Sequence, residues 1–151
     1  MGVRIIALLV LFASSLAHAG PQEDAVAAYQ KFFTAFVNDN QDQMATLFAP
    51  DAQFFGTNSQ EVVTSPDGIR KYFAVALDPK RGVVKAVPFA HTALVLSDDV
   101  VLIAGKWQSE RTLDGKMTTG GPSRNTVVMQ KRGGRWLIAQ FHNSPTPKPA
   151  S

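Results

Sequence analysis

The chain has 151 residues, 45% of them hydrophobic and 18% charged, with 15 Lys and Arg against 12 Asp and Glu and no cysteine. The missing cysteine excludes disulfides, a cysteine-ligated zinc or iron–sulfur site, a catalytic thiol and a lipid anchor on an N-terminal cysteine. The apolar content excludes a disordered chain, the length sets one domain, and a net charge of +3 is small for a nucleic-acid binder.

The first segment, MGVRIIALLVLFASSLAHAG, has the three parts of a secretory signal peptide: basic Arg4, an apolar run from Ile5 to Leu16, and the small-x-small site Ala17-His18-Ala19. The run is shorter than the about 20 residues a membrane span needs. Cleavage after Ala19 is expected, which places residues 20–144 as one domain in the bacterial periplasm or medium with no membrane anchor. The Pro-alternating residues 145–151 read as an extended tail.

Residues 22–37 repeat Val26, Tyr29, Phe32, Phe33, Phe36 and Val37 at helical spacing, and Asn38-Asp39-Asn40 breaks that helix. A short second helix carries Met44, Leu47 and Phe48 and stops at Pro50. A strand follows over 52–56. Ser65-Pro66-Asp67 opens a third helix: Ser65 caps it, Pro66 suits its first turn and Asp67 meets its positive end. Ile69, Tyr72, Phe73, Ala76 and Leu77 form its apolar face. Residues 83–96, 100–112, 116–119, 123–132 and 135–143 are rich in Val, Ile, Thr, Trp and Phe. Short Gly/Asp breaks separate them, the pattern of an antiparallel meander. Helices first and strands afterwards give the α+β class. In the final run, alternation places Leu137, Ala139 and Phe141 on an apolar face and Trp136, Ile138, Gln140 and His142 on a mixed one. In the run before it, Asn125, Val127 and Met129 oppose Arg124, Thr126 and Val128. Both faces carry apolar groups, so both are expected to be covered, one by the helices and the other by a second subunit.

Ala28-Tyr29 to Phe36, Met44 to Ala52, Gly68 to Phe73, Arg124 to Val128 and Gly134 to Ser144 together resemble the nuclear transport factor 2-like superfamily and its SnoaL-like branch. The ending is similar to that of the calcium/calmodulin-dependent protein kinase II association domain and of SgcJ/EcaC-type proteins. The resemblance implies a cone-shaped fold, with three N-terminal helices packed in a curved antiparallel sheet. It also implies dimerisation through the sheet and a small-molecule pocket in the cone. Some members are cofactor-free isomerases, cyclases or dehydratases, and others only bind or assemble. The arginines of the kinase domain's pocket match Val127, Asn143 and a position near Trp107, so the resemblance does not carry that acid-binding pocket to this chain. Nor does it place the Asp/Tyr pair of the steroid isomerases.

The residues that can do chemistry are few. His142 can act as an acid/base or a ligand partner, because imidazole titrates near pH 6.5; a structural role at a strand end is the alternative. His91 reads as structural. Arg124 can neutralise an anionic ligand or pair with Glu110. Tyr29 and Trp107 can line a pocket or fill the core, and Asn143 can help to polarise a carbonyl. Asp51 reads as a turn residue or a carboxylate base. No metal-ligand spacing, phosphate loop or nucleophile elbow is present, so no metal or cofactor is expected. Two readings result. One is a non-catalytic, dimeric binder of a small, partly apolar ligand in the cone. The alternative is a cofactor-independent lyase, isomerase or hydrolase using His142.

Overall fold

The computed structural model describes residues 20–37 and 40–147. The expected signal peptide, Asn38 and Asp39 of the expected break, and the tail beyond 147 lie outside the described residues. Helix α1 spans Pro21–Ala35, α2 Gln41–Ala45 and α3 Pro66–Ala76; the strands are β1 Phe48–Phe55, β2 Val83–Ser97, β3 Val100–Leu113, β4 Lys116–Thr119, β5 Ser123–Arg132 and β6 Arg135–Pro145. The α+β class and the helix-then-sheet order agree with the sequence.

Pro21 opens α1 with Glu23 and Asp24 in the first turn, where carboxylates oppose the positive helix end. Its buried residues Ala25, Tyr29, Phe32 and Phe33 repeat at spacings of three and four, so one stripe faces the sheet. In α3 the Ser65 hydroxyl accepts from the Gly68 N–H at 3.1 Å with Pro66 in the first turn, the expected cap. Beyond α3, Arg111 from β3 donates to the carbonyls of Ala76 at 2.8 Å, Arg81 at 3.1 Å and Gly82 at 3.3 Å. A guanidinium thus collects acceptors that the end of α3 and the following 3-10 turn (Pro79–Arg81) leave open.

The sheet order is β1-β6-β5-β3-β2, with β4 beside the end of β3. All pairs are antiparallel except β1 with β6, which is parallel. That pair departs from the expected all-antiparallel sheet. A parallel pair needs a long crossover, and here everything from α3 to β5 supplies it. Strand β1 also begins earlier than expected and contains Pro50. Since β1 is an edge strand, the missing N–H of Pro50 costs it little.

Cross-strand register defines two faces. Val101, Met129 and Ile138 lie in one row, Ile103, Val127 and Phe141 in the next, then His91, Gly105, Asn125 and Asn143; this face meets α1. The opposite face carries Leu94, Leu102, Val128 and Gln140, then Thr92, Ala104, Thr126 and His142, then Ala90, Lys106, Arg124 and Ser144. The expected alternation along β6 fails at one point. The register shifts between Val128 and Met129, opposite Gln140 and Ile138, and Ala139 is the extra residue. A bulge resets the two-residue period, so Ile138 and Phe141 are both buried, 1% and 2% exposed.

Between α1, α3 and the inner face lies an aromatic core. Phe32 meets Phe141 at 4.9 Å between ring centres, Phe33 at 5.4 Å, Phe36 at 5.8 Å and Phe73 at 6.0 Å. Phe54 stacks on Phe141 at 5.5 Å. Truncating such a side chain loses burial and leaves a cavity. Phe141→Ala is therefore expected to lower the unfolding free energy in urea by about 3–5 kcal/mol. Val75→Ala on the exposed side of α3 should stay within about 0.5 kcal/mol.

Candidate functional site

The interior polar groups are built by β3, β5 and β6. Tyr29 Oη donates to Asn125 Oδ1 at 3.1 Å, and Trp107 Nε1 donates to Asn143 Oδ1 at 2.7 Å. Asn143 Nδ2 donates in turn to the Thr57 hydroxyl. Asn125 and Asn143 are cross-strand partners, each 4% exposed. A Cβ at Gly105 would collide with the Tyr29 hydroxyl and with Asn125 Oδ1, so glycine is what lets the tyrosine reach across the sheet. His91, in register with Gly105, lies edge-on to the Tyr29 ring at 6.1 Å.

Three of the residues selected from sequence therefore lie buried on the inner face in two separate pairs, Trp107 bonded to Asn143 and Tyr29 to Asn125. Burial raises the Tyr29 phenol above its ordinary value of 10.0, and the bond to Asn125 partly offsets this. Phe32 and Phe36 pack against the Trp107 ring at 6.4 and 5.3 Å between ring centres.

His142 and Arg124 lie on the other face. They line a cleft of about 610 Å³ together with Thr92, Lys106, Thr126 and Ser144. Arg124 Nε donates to Ser144 Oγ at 3.2 Å, while Glu110, its alternative partner from sequence, pairs with Lys85 at 2.9 Å. The His142 ring is exposed and tilts against Phe55 at 5.5 Å. Among the described residues no carboxylate lines this cleft, and its outer-face ionisable residues are Lys106, Arg124 and His142. Such a site suits an anionic group flanked by hydroxyl donors.

Asp51 is not at a turn but within β1, where Arg132 Nη1 donates to its Oδ1 at 2.5 Å. That bond holds the carboxyl below its ordinary value of 3.8, which makes it a weak base. Lys106, Thr126 and Ser144 were not selected from sequence, although the alternation along β5 puts Thr126 beside Arg124. Asn125 was also missed; its signal was a polar residue on the same face as Val127 and Met129. Among the described residues no cluster of His, Asp or Glu is arranged to hold a metal ion, and no helix is long and apolar enough to cross a membrane.

The chain belongs to the SnoaL-like domain family, whose model matches residues 25–148. It is similar to a Xanthomonas campestris structure that carries the provisional name of calcium/calmodulin dependent protein kinase II association domain. The two are 33% identical over 89% of this chain and 94% of that one, with a TM-score of 0.74. A nuclear transport factor 2-like protein with a cystatin-like fold from Novosphingobium aromaticivorans is 14% identical, covers 85% of this chain and 83% of its own, and has a TM-score of 0.70. A Streptomyces avermitilis protein provisionally named as a dehydratase of the same family is also 14% identical, over 83% and 97%, with a TM-score of 0.71; these two likenesses establish the fold alone. No curated protein matches the chain.

Tyr29→Phe removes one buried hydrogen bond and leaves Asn125 Oδ1 unpaired, so at neutral pH it is expected to cost about 1–3 kcal/mol. A raised phenol pKa stabilises the fold fully below pH 10.0 and is lost as pH rises through the folded value. The variant should therefore show a flatter alkaline limb in chemical denaturation between pH 9 and the folded value. For Asp51 the sign is opposite. Its pairing contributes above the ordinary value of 3.8 and fades as pH falls through the lower folded value. NMR titration of the Asp51 carboxyl should show the depressed midpoint, and Arg132→Ala should return it toward 3.8.

Proposed function

We propose that this chain is an exported, dimeric SnoaL-like binding domain that holds a small, partly apolar organic anion in the outer-face cleft without transforming it. The observation that carries the reading is the cleft lining: Lys106, Arg124 and His142, three hydroxyls and two alanines, with no carboxylate. Packing supports the outer face over the cone, because aromatic side chains already occupy the interior. Exposed apolar groups on the same sheet support pairing of two copies. Leu94, Val95 and Leu96 near the end of β2 are 58%, 41% and 57% exposed, and a contiguous exposed apolar patch marks an interaction surface. The association-domain name carried by the Xanthomonas campestris neighbour agrees with assembly. Residues 1–19 support export.

The protein spanning residues 20–151 should sediment as a dimer, and its melting temperature should rise with C4–C8 carboxylates but not with the matching amides. A charge-assisted hydrogen bond contributes about 1.5–3 kcal/mol, so Arg124→Gln should weaken carboxylate binding by about 10-fold or more. A monomer indifferent to every carboxylate would overturn the reading. Protein recovered from the native periplasm should begin at Gly20; retention of residues 1–19 there would remove export.

One observation favours the alternative lyase, isomerase or hydrolase reading: His142 and Arg124 share the same cleft, so an acid/base and a cation can meet one substrate. Turnover of a bound carbonyl compound that His142→Ala abolishes with binding intact would establish that reading in place of simple binding.

A further inference from the structure

A second cleft, of about 500 Å³, runs between α1 and the β5–β6 hairpin, on the helix-bearing side of the sheet. Its floor is apolar, from Ala28, Leu47, Trp136 and Leu137, and its rim carries Lys31, Lys131 and Arg135. The backbone is fixed on both sides: Ile138 N donates to Leu47 O at 2.8 Å and Lys131 N to Asp99 O at 2.8 Å.

The three cations of this rim are not neutralised by neighbouring carboxylates, as three other basic residues are. Arg70 is paired with Asp42 and Asp67, Lys85 with Glu110, and Arg132 with Asp51. Lys31, Lys131 and Arg135 form no ion pair among the described residues; Arg135 Nη2 reaches only the Thr46 carbonyl, at 3.4 Å. The single carboxylate in the lining is Asp24. It sits seven residues before Lys31 on α1, about 10 Å along the helix axis, so the lining carries three cations against one carboxylate.

A second observation is independent of charge. Trp136 is one of the residues lining the cleft, and its Nε1–H is buried with no acceptor among the described residues. A buried donor without an acceptor is unfavourable. Trp136 and Lys131 are cross-strand partners, so an oxygen bound by the Lys131 ammonium lies close to the edge of the indole ring.

We infer that this cleft is a second binding site, for a small organic anion. The apolar body lies on the Trp136, Leu47 and Leu137 floor, while the phosphate or carboxylate oxygens take charge-assisted bonds from Lys31, Lys131 and Arg135 and one from the indole N–H. The cleft shares no lining residue with the outer-face cleft, so either site can stand without the other.

The test uses the two tryptophans of the chain, Trp107 and Trp136, whose indole N–H signals are separate reporters in a 15N-labelled sample. Phenyl phosphate, titrated at constant ionic strength, is expected to move the Trp136 signal downfield to saturation and leave Trp107 in place. Lys131→Gln and Arg135→Gln, measured singly and together, should weaken that titration, the pair by about 10-fold or more. Both lie on an exposed hairpin, and unchanged signal dispersion will report intact folding. The Lys106→Gln/Arg124→Gln variant should titrate as the parent does, which separates this site from the outer-face cleft. The inference is overturned if sodium chloride gives the same shift, if benzyl alcohol binds as well as phenyl phosphate, or if the hairpin variants titrate unchanged. Inorganic phosphate and benzoate then separate the two anion chemistries: saturation with benzoate alone assigns a carboxylate ligand, and saturation with inorganic phosphate a phosphorylated one.

Discussion

Phe32 leaves the middle of α1 and meets rings from three other parts of the chain: Phe141 of β6, Phe73 of α3 and Trp107 of β3. This contact set holds the helical layer to the sheet. It uses residues far apart in sequence, so it forms only when the sheet register is correct. A one-residue slip of β6 would turn Phe141 to solvent and bring His142 against Phe32. The bulge at Ala139 belongs to the same constraint, because it brings Ile138 and Phe141 onto one face despite the odd spacing between them. The parallel β1–β6 pair then sets Phe54 beside Phe141, which extends the ring cluster to the sheet edge.

That packing also fixes where polar chemistry can sit. With rings packed through the interior, its polar side chains sit where they meet partners, Tyr29 with Asn125 and Trp107 with Asn143, although Asn125 Nδ2 has no partner among the described residues. The net value of each such bond is modest, about 1 kcal/mol, but leaving either amide unpaired in this environment costs more. The pairs therefore act as register markers for β3, β5 and β6 more than as sources of stability. The groups open to a ligand are displaced outward, to the far face of the sheet and to the hairpin end of α1.

The sequence carried most of the fold for identifiable reasons. The stripe from Tyr29 to Phe36, the Ser65-Pro66-Asp67 start and the Gly/Asp breaks between β-rich runs are local signals, and each strand after α3 begins at its expected residue. The start of β1 was misplaced because Pro50 reads as a breaker, and only the tertiary position of that strand at an edge makes it acceptable. The parallel pairing was hidden because its crossover contains α3 and most of the sheet. The bulge at Ala139 was hidden as well, since no glycine or proline marks it. The two clefts were the least legible part. Lys106, Ser144, Lys31 and Arg135 are separated along the chain, and only the strand order and the position of α1 group them.

The fate of His142 and Asn143 follows from the pleat of the sheet. Adjacent residues on a strand face opposite ways, so one of the pair was bound to be interior once the other was not. Phe141 at the core settles which: Asn143 joins it inside, and His142 goes out. Arg124 stands opposite Ser144, two residues beyond His142, and such diagonal neighbours lie about 7–8 Å apart. That separation is too wide for a direct bond between their backbones' neighbouring atoms but suits two side chains that grip opposite ends of one small polar group. A site containing His142 must therefore be completed by Arg124, Lys106 and Thr126 rather than by Asn143, and any chemistry there has a cation and hydroxyls as its partners, with no carboxylate to orient the imidazole.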